Sequence, residues 1–302
     1  MRESELLRRI YDRSADLTGS GPVVVGPGDD AAVLRAPAGG SIIITTDQLV
    51  EGRHHERGTD PDAVARKAVA RSVSDIAAMA GSPSWALACA LLNDDEDRDD
   101  ELFDATAAWA RRFNCPLVGG DIARSPGPTT LTITVAGEPH ARRGPVLRST
   151  ARAGDAVYVT GAVGGSLASG RHLTFEPRVD AARELADVLA EQLSAMIDLS
   201  DGLGIDAGRV AHASGVTLEL DASALPLHPD AGPWRDAIAH GEDYELLFTA
   251  APGATVPAAA AGTPVTRIGV VVEPGADGPT ALIVAPGGER LDAARLGWDH
   301  GS

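Results

Sequence analysis

A chain of 302 residues with 44% hydrophobic and 23% charged side chains has the balance of a folded globular protein long enough for two cores, which excludes a disordered or fibrous class. Its 43 acidic against 26 basic residues give a formal net charge of −17, which argues against nucleic acid or an anionic membrane surface as partner. A protein this acidic that handles phosphate must bring in cations, of which Mg2+ is the common choice.

Charges at Arg2, Glu3 and Glu5 stand where a secretory leader needs an apolar core, so a cytoplasmic location is expected. Leu6 with Ile10 and Leu7 with Tyr11 predict a short amphipathic helix over 3–12 that serves packing. Val23 to Val25, Ala31 to Leu34 and Ile42 to Thr46 read as strands, with the loop Gly26-Pro27-Gly28-Asp29-Asp30 between the first two. The third runs into Asp47, with Glu51 and His54 just beyond. A strand end holds a side chain at a fixed place, so these three are candidates for holding a ligand. Asp60 is an N-cap, Pro61 sits at the first helical position, and the Ala- and Val-rich run to Gly81 predicts a long, mostly buried helix. On it Lys67, Arg71 and Asp75 recur every four residues. Lys67 and Arg71 fit a solvated face with supporting ion pairs. Asp75 instead follows Ser74 and precedes Ile76-Ala77-Ala78-Met79-Ala80, surroundings in which a carboxylate usually has a cation.

Trp85 to Leu92, the longest apolar run, is too short to span a bilayer and reads as a strand. It contains Cys89; Cys115 is the only other cysteine, no CxxC spacing exists, and both are expected to be buried and without a role. The acidic run Asp94 to Glu101 reads as a solvated loop before a helix over 102–113. Pro116-Leu117-Val118 leads into Gly119-Gly120-Asp121, and Thr129 to Val135 alternates as a strand. Glu138 to Pro145 breaks the periodicity and predicts a boundary between domains 1–140 and 141–302. Ala156 to Thr160 then ends in Gly161-Ala162-Val163-Gly164-Gly165-Ser166, a glycine-rich turn expected to enter a helix and able to cradle phosphate, although it fits neither GxGxxG nor the Walker pattern. Helices over 178–194 and 203–213 flank Met196-Ile197-Asp198, and strands near 216–220, 245–249, 267–271 and 281–284 complete an α+β domain.

Carboxylates beside Gly or Ser thus recur at element ends: Asp29-Asp30, Asp47, Asp75, Asp121, and Asp198 with Asp201. Six stretches carry a resemblance: Gly28-Asp29-Asp30-Ala31-Ala32-Val33, Thr45 to His54, Ser74-Asp75-Ile76-Ala77-Ala78-Met79, Gly119-Gly120-Asp121, Met196 to Leu203, and Gly241-Glu242-Asp243-Tyr244-Glu245-Leu246-Leu247-Phe248-Thr249. In this order and spacing, from Gly26 to Trp298, the chain resembles the thiamine-monophosphate kinase family of the aminoimidazole ribonucleotide synthetase-like superfamily. That resemblance implies a two-domain α+β fold, with an N-terminal sheet that pairs across a homodimer and a C-terminal α/β-type domain that completes the active site. It implies transfer of the γ-phosphoryl group of ATP to the phosphate of thiamine monophosphate, with several Mg2+ ions and a site between the two halves. The carried-over metal ligands are Asp30, Thr45, Thr46, Asp47, Asp75, Asp121, Asp198 and Asp201. Asp47, Asp75, Asp121 and Asp198 are implied to be catalytic. Gly120, Asp121, Arg148 and Ser200 are implied to meet ATP, and His54, Glu242 and Trp298 the thiamine ligand.

The chain departs from the family pattern at His55, Ser72, Ile122-Ala123, His240 and Gly301, and the stretch from Gly165 to Pro177 is short. These positions bear on the acceptor rather than on the acids. Selenophosphate synthetase would need a catalytic Cys or Sec with a Lys near the N-terminus, and a hydrogenase-maturation factor would end in Cys; neither feature is here. Aminoimidazole ribonucleotide synthetase fits Tyr244-Glu245-Leu246 less well. The remaining alternatives are a superfamily enzyme with another acceptor and a catalytically idle regulatory homodimer, which would have less need of so many acids.

Overall fold

In a computed structural model, residues 3–37, 39–293 and 296 are described. Six strands with alternating inward and outward side chains make the first sheet: β1 (Val23–Val25), β2 (Ala32–Arg35), β3 (Ser41–Val50), β4 (Ser82–Asn93), β5 (Leu117–Ser125) and β6 (Thr130–Glu138), in the order β1-β2-β3-β6-β4-β5. One face buries Ile43, Leu49, Ala86, Ala90, Leu131 and Ile133 against helix α2 (Pro61–Ala78), through its Val64, Ala68, Val69, Val73 and Ile76. As the sequence predicts, α2 starts where the Asp60 side chain accepts the Asp62 N–H and Pro61 takes the first turn. β4 and β5 run parallel, which requires a crossover, and helix α3 (Asp99–Arg112) supplies it.

Several boundaries differ from expectation. β3 continues to Val50 because β6 pairs with it from Ile43↔Gly137 to Val50↔Thr130, so Asp47 lies inside the strand and not at its end. β5 likewise continues through Asp121, which pairs with Cys89. Cys89 is exposed, because β4 alternates and turns it away from α2. Cys115 is buried, and burial pushes its thiol up to about 12. Helix α1 (Glu3–Ser14) forms, but Ile10 and Tyr11 stay 42% and 37% exposed and are not covered packing residues.

The second sheet contains β7 (Ala156–Thr160), β8 (Leu193–Asp198), β9 (Thr217–Asp221), β10 (Leu246–Ala250), β12 (Thr263–Val272), β13 (Thr280–Val284) and β14 (Arg290–Asp292), with β11 (Ala259–Ala260) beside β12. Its order is β14-β13-β9-β12-β7-β10-β8, antiparallel except for β9 with β13. Helix α5 (Leu203–Ser214) covers one face through Leu203, Ala207 and Val210. Helix α4 (Val179–Leu189) covers the other through Ala182, Leu185 and Leu189, in a core that also takes in Ala77 and Ala78 of α2. A single turn of helix, α6 (Trp234–Ala237), precedes the loop into β10. α2 therefore packs into both halves and is the element on which a shared site can be built.

Candidate active site

Three carboxylates from distant parts of the sequence converge beside α2. Asp75 projects from α2, Asp198 ends β8, and Asp30 lies in the turn before β2; one oxygen from each falls within 4.8 Å of the others. Thr45 Oγ1, inward on β3, donates to Asp75 Oδ2 at 2.5 Å, and Ser74 Oγ donates to Asp198 Oδ2 at 2.6 Å. Arg148 Nη2 donates to Asp30 Oδ1 at 2.7 Å, while Asp30 Oδ2 is buried without a hydrogen-bond partner among the described residues. Burial raises the Asp75 carboxyl well above the carboxylate range, and Asp47, Asp198 and Asp30 add to it. Burial does the same to Asp198, with Asp30 next. Asp29 beside them rises to about 7, by burial and by Asp30, against the opposing pull of Arg148.

The implied ligands are not all in this place. Asp47 shares the inward face of β3 with Thr45, and its Oδ1 is 3.8 Å from Arg71 Nη2. Thr46 points to the opposite face, exposed, where Thr134 Oγ1 donates to its Oγ1 at 3.0 Å. Asp121 lies on that opposite face as well, because the register places it beside Cys89, then Thr132, then Gln48. Asp201 stands near Asp198 in sequence but forms a close ion pair with Arg209, which also holds buried Asp206 at 2.6 Å. Arg148, implied for ATP, is committed here to Asp29 and Asp30. The Ser200 carbonyl accepts the Glu242 N–H at 2.7 Å. Trp298 lies outside the described residues.

Gly120 has a packing reason of its own. A Cβ built there would stand 1.8 Å from the Ala88 carbonyl oxygen, so only glycine lets β5 lie this close to β4. Gly120→Ala is expected to cost about 1–3 kcal/mol as overpacking does, read as a lower thermal midpoint without nucleotide. An unchanged midpoint would leave ligand approach as the reason for the glycine.

The other end of the site is built on Lys67. This side chain is fully buried, and its Nζ lies 2.8 Å from both carboxylate oxygens of Glu242 while donating to the His54 carbonyl at 2.6 Å. Burial lowers its ammonium to about 8, against the attraction of Glu242. Lys67 is thus no member of a solvated face, and the sequence signal it carried was its four-residue spacing from Asp75. His54 Nδ1 accepts the Val50 N–H at 2.9 Å, which ties the imidazole to the end of β3. Glu242 and Tyr244 adopt positive φ values of 63° and 51°, a left-handed backbone rare for such residues. The loop is held there by buried Asp243, which accepts from Gly164 N at 2.7 Å and Arg171 Nη2 at 2.9 Å, and by Tyr244 stacked on Phe175 at 3.9 Å. Arg178 Nε donates to Glu245 at 2.7 Å.

These contacts correct the phosphate-cradle expectation for Gly161 to Ser166. The Gly164 and Gly165 N–H groups are bonded to Asp243 and His240, and the segment leads into turns and one 3-10 turn at Arg171–Leu173 instead of an α-helix. No anion-binding helix N-terminus follows it.

The chain matches two family models: AIR synthase related protein, N-terminal domain, over residues 28–138, and AIR synthase related protein, C-terminal domain, over residues 152–280. A thiamine-monophosphate kinase of Rhodopirellula baltica is 37% identical over 83% of this chain and 84% of its own, and one of Salmonella typhimurium is 37% identical over 82% of each. Among solved structures, AaThiL complexed with AMPPCP and TMP superposes with a TM-score of 0.79 at 29% identity, over 96% of this chain and 94% of that one. Two family models in tandem and relatives at this identity over most of their length establish that the chain belongs to the thiamine-monophosphate kinase family of AIR synthase-related proteins.

Proposed function

We propose that the chain transfers the γ-phosphoryl group of ATP directly to the phosphate of thiamine monophosphate, giving thiamine diphosphate. The observation that carries this reading is the meeting of Asp30, Asp75 and Asp198 on the helix that also holds Lys67 and, through it, Glu242 and His54. Lys67 and Asp75 are two turns apart, roughly 12 Å along α2, so one side of the helix can serve both ends of a phosphorylated acceptor.

Mg2+ fits the acid end on chemical grounds. The donors are hard carboxylate oxygens, one of them is buried without a partner, and burial with mutual repulsion holds Asp75 and Asp198 away from their ionised forms until a cation arrives. Asp30, Asp75 and Asp198 would hold it, with Thr45 and Asp47 beside them. When bound it would neutralise charge on the two polyanionic substrates and bring them together. The chain's own part is positional: Thr45 and Ser74 orient the carboxylates, Lys67 fixes Glu242 and the His54 turn, and a phosphate acceptor is already ionised, so no strong base is needed. Gly120, Asp121, Arg148 and Ser200 are proposed for ATP, and Trp298 with His54 and Glu242 for the thiamine moiety. Asp201 is proposed for a further ion, in competition with Arg209.

A homodimer in the cytoplasm, with domains 1–140 and 141–302, completes the reading. β5 is an edge strand with Val118 64% and Ile122 57% exposed, a surface that supports pairing with a second copy, which could bring Thr46 and Asp121 into use. No described helix is long and apolar enough to cross a membrane.

The direct test is turnover with ATP, Mg2+ and thiamine monophosphate, with thiamine and pyridoxal compounds as controls. Activity on a control alone would replace the acceptor assignment. Metal linkage gives a second check. Because folded Asp75 and Asp198 have raised pKa values, the metal-free chain is favoured below the unfolded carboxyl value of 3.8 and loses stability as pH rises through the folded values. Bound Mg2+ opposes that loss, so saturating Mg2+ should raise the melting temperature by about 5 °C at pH 8 and by much less at pH 5. Equal shifts at both pH values would disconnect the metal from these acids.

A further inference from the structure

Arg71 belongs to none of the ligand sets above, although it stands between them. On α2 it lies one turn from Lys67 and one turn from Asp75, on the same side, about 6 Å along the axis from each. From β3, the Gln48 carbonyl accepts from its Nη1 at 3.1 Å, and Asp47 Oδ1 is 3.8 Å from its Nη2. Its Nε is buried and has no hydrogen-bond partner among the described residues. Arg148 and Arg171 also have an unpartnered Nε, but each holds a carboxylate at 2.7 and 2.9 Å respectively. Arg71 has no carboxylate that close: 3.8 Å is too long for a hydrogen bond. Burial disfavours its charge, but a guanidinium stays ionised in a protein, and the facing Asp47 and Glu242 carboxylates favour the cation further. Of the five N–H donors of its guanidinium, one is bonded to the Gln48 carbonyl and four have no hydrogen-bond acceptor among the described residues, in a side chain only 15% exposed.

We infer that Arg71 grips the phosphate of the acceptor. The inference rests on the kinase reading above and adds a specificity residue to it. An acceptor whose organic part lies toward Glu242 and His54, and whose phosphate lies toward the carboxylate cluster, presents that dianion to the middle of α2. Asp47 and Glu242 place carboxylates around this point, so a phosphate entering it needs a cation that the chain itself supplies. A planar guanidinium with free donors can engage two phosphate oxygens at once, which an ammonium cannot match.

The test is equilibrium binding of thiamine monophosphate, thiamine and ATP, each with Mg2+, to the wild-type protein, Arg71→Gln and Arg71→Lys, together with a melt of each. Gln preserves a donor for the Gln48 carbonyl and much of the volume. In Arg71→Gln the Kd for thiamine monophosphate should rise about tenfold or more, the scale of a lost charge-assisted hydrogen bond, while those for thiamine and ATP stay within about twofold. Arg71→Lys should recover part of the loss. A purely structural Arg71 would move the melt and weaken all three ligands together, and that outcome overturns the inference. A wild-type preference for the monophosphate over thiamine that survives in Arg71→Gln also overturns it, while leaving the kinase reading intact. A wild-type protein with no such preference would overturn both.

Discussion

Asp75→Asn is expected to lower turnover at least about a hundredfold while the chain stays folded. Asp75 is the carboxylate at the meeting point of β3, α2 and β8, where Thr45 holds it and Asp47, Asp198 and Asp30 crowd it. An amide there keeps the shape and the Thr45 contact but removes the charge a cation needs. Metal-free Asp75 is already held toward its neutral form, so the metal-free melting temperature should stay the same or rise. The Mg2+-induced rise at pH 8 should disappear in parallel with activity. Melt and turnover measured on one preparation decide the matter, and near-normal turnover at ordinary Mg2+ would take Asp75 out of the site.

Lys67→Met is expected to destabilise the protein by about 3–5 kcal/mol, because removing one partner of a buried pair leaves the other charge uncompensated. Lys67 has no exposed surface, and Glu242 offers both oxygens to it from a loop whose backbone is already in a left-handed conformation. The acceptor KM should rise as well, since the same ammonium holds the His54 turn. Lys67→Met with Glu242→Gln should regain much of the stability without regaining the KM, and this double-mutant cycle measures the pair directly. A single Lys67→Met variant that melts like the wild type would show that the pair does not hold the two halves together.

Elements whose signals are local were legible in the chain. Asp60-Pro61 marked the start of α2, and the strand runs of 23–25 and 156–160 fell where the structure has them. What depended on pairing or on distant partners was not. Nothing near Asp47 tells that β6 extends β3 to Val50, and the consequence is that Thr45 and Thr46, adjacent in sequence, serve opposite faces of a sheet. Four-residue spacing placed Lys67 and Arg71 with Asp75, but it cannot say whether that face meets water. Here the face is covered by the Glu242 loop, which comes from the other half of the chain. The glycines at 164 and 165 looked like a phosphate cradle because the same absence of Cβ serves close packing, in this case against Ala237 and Asp230. Of the acidic motifs, Asp30, Asp75 and Asp198 converge, whereas Asp243 and Glu245 lie inward as structural ion-pair partners of Arg171 and Arg178.

Direct transfer between two anions bridged through Mg2+ on these carboxylates requires no nucleophile on the protein. The measurement is incubation with γ-labelled ATP and Mg2+, first alone and then with thiamine monophosphate. Label should be absent from the protein at both stages and should appear in thiamine diphosphate once the acceptor is added. Stoichiometric label on the protein that chases into product would contradict the single-step transfer.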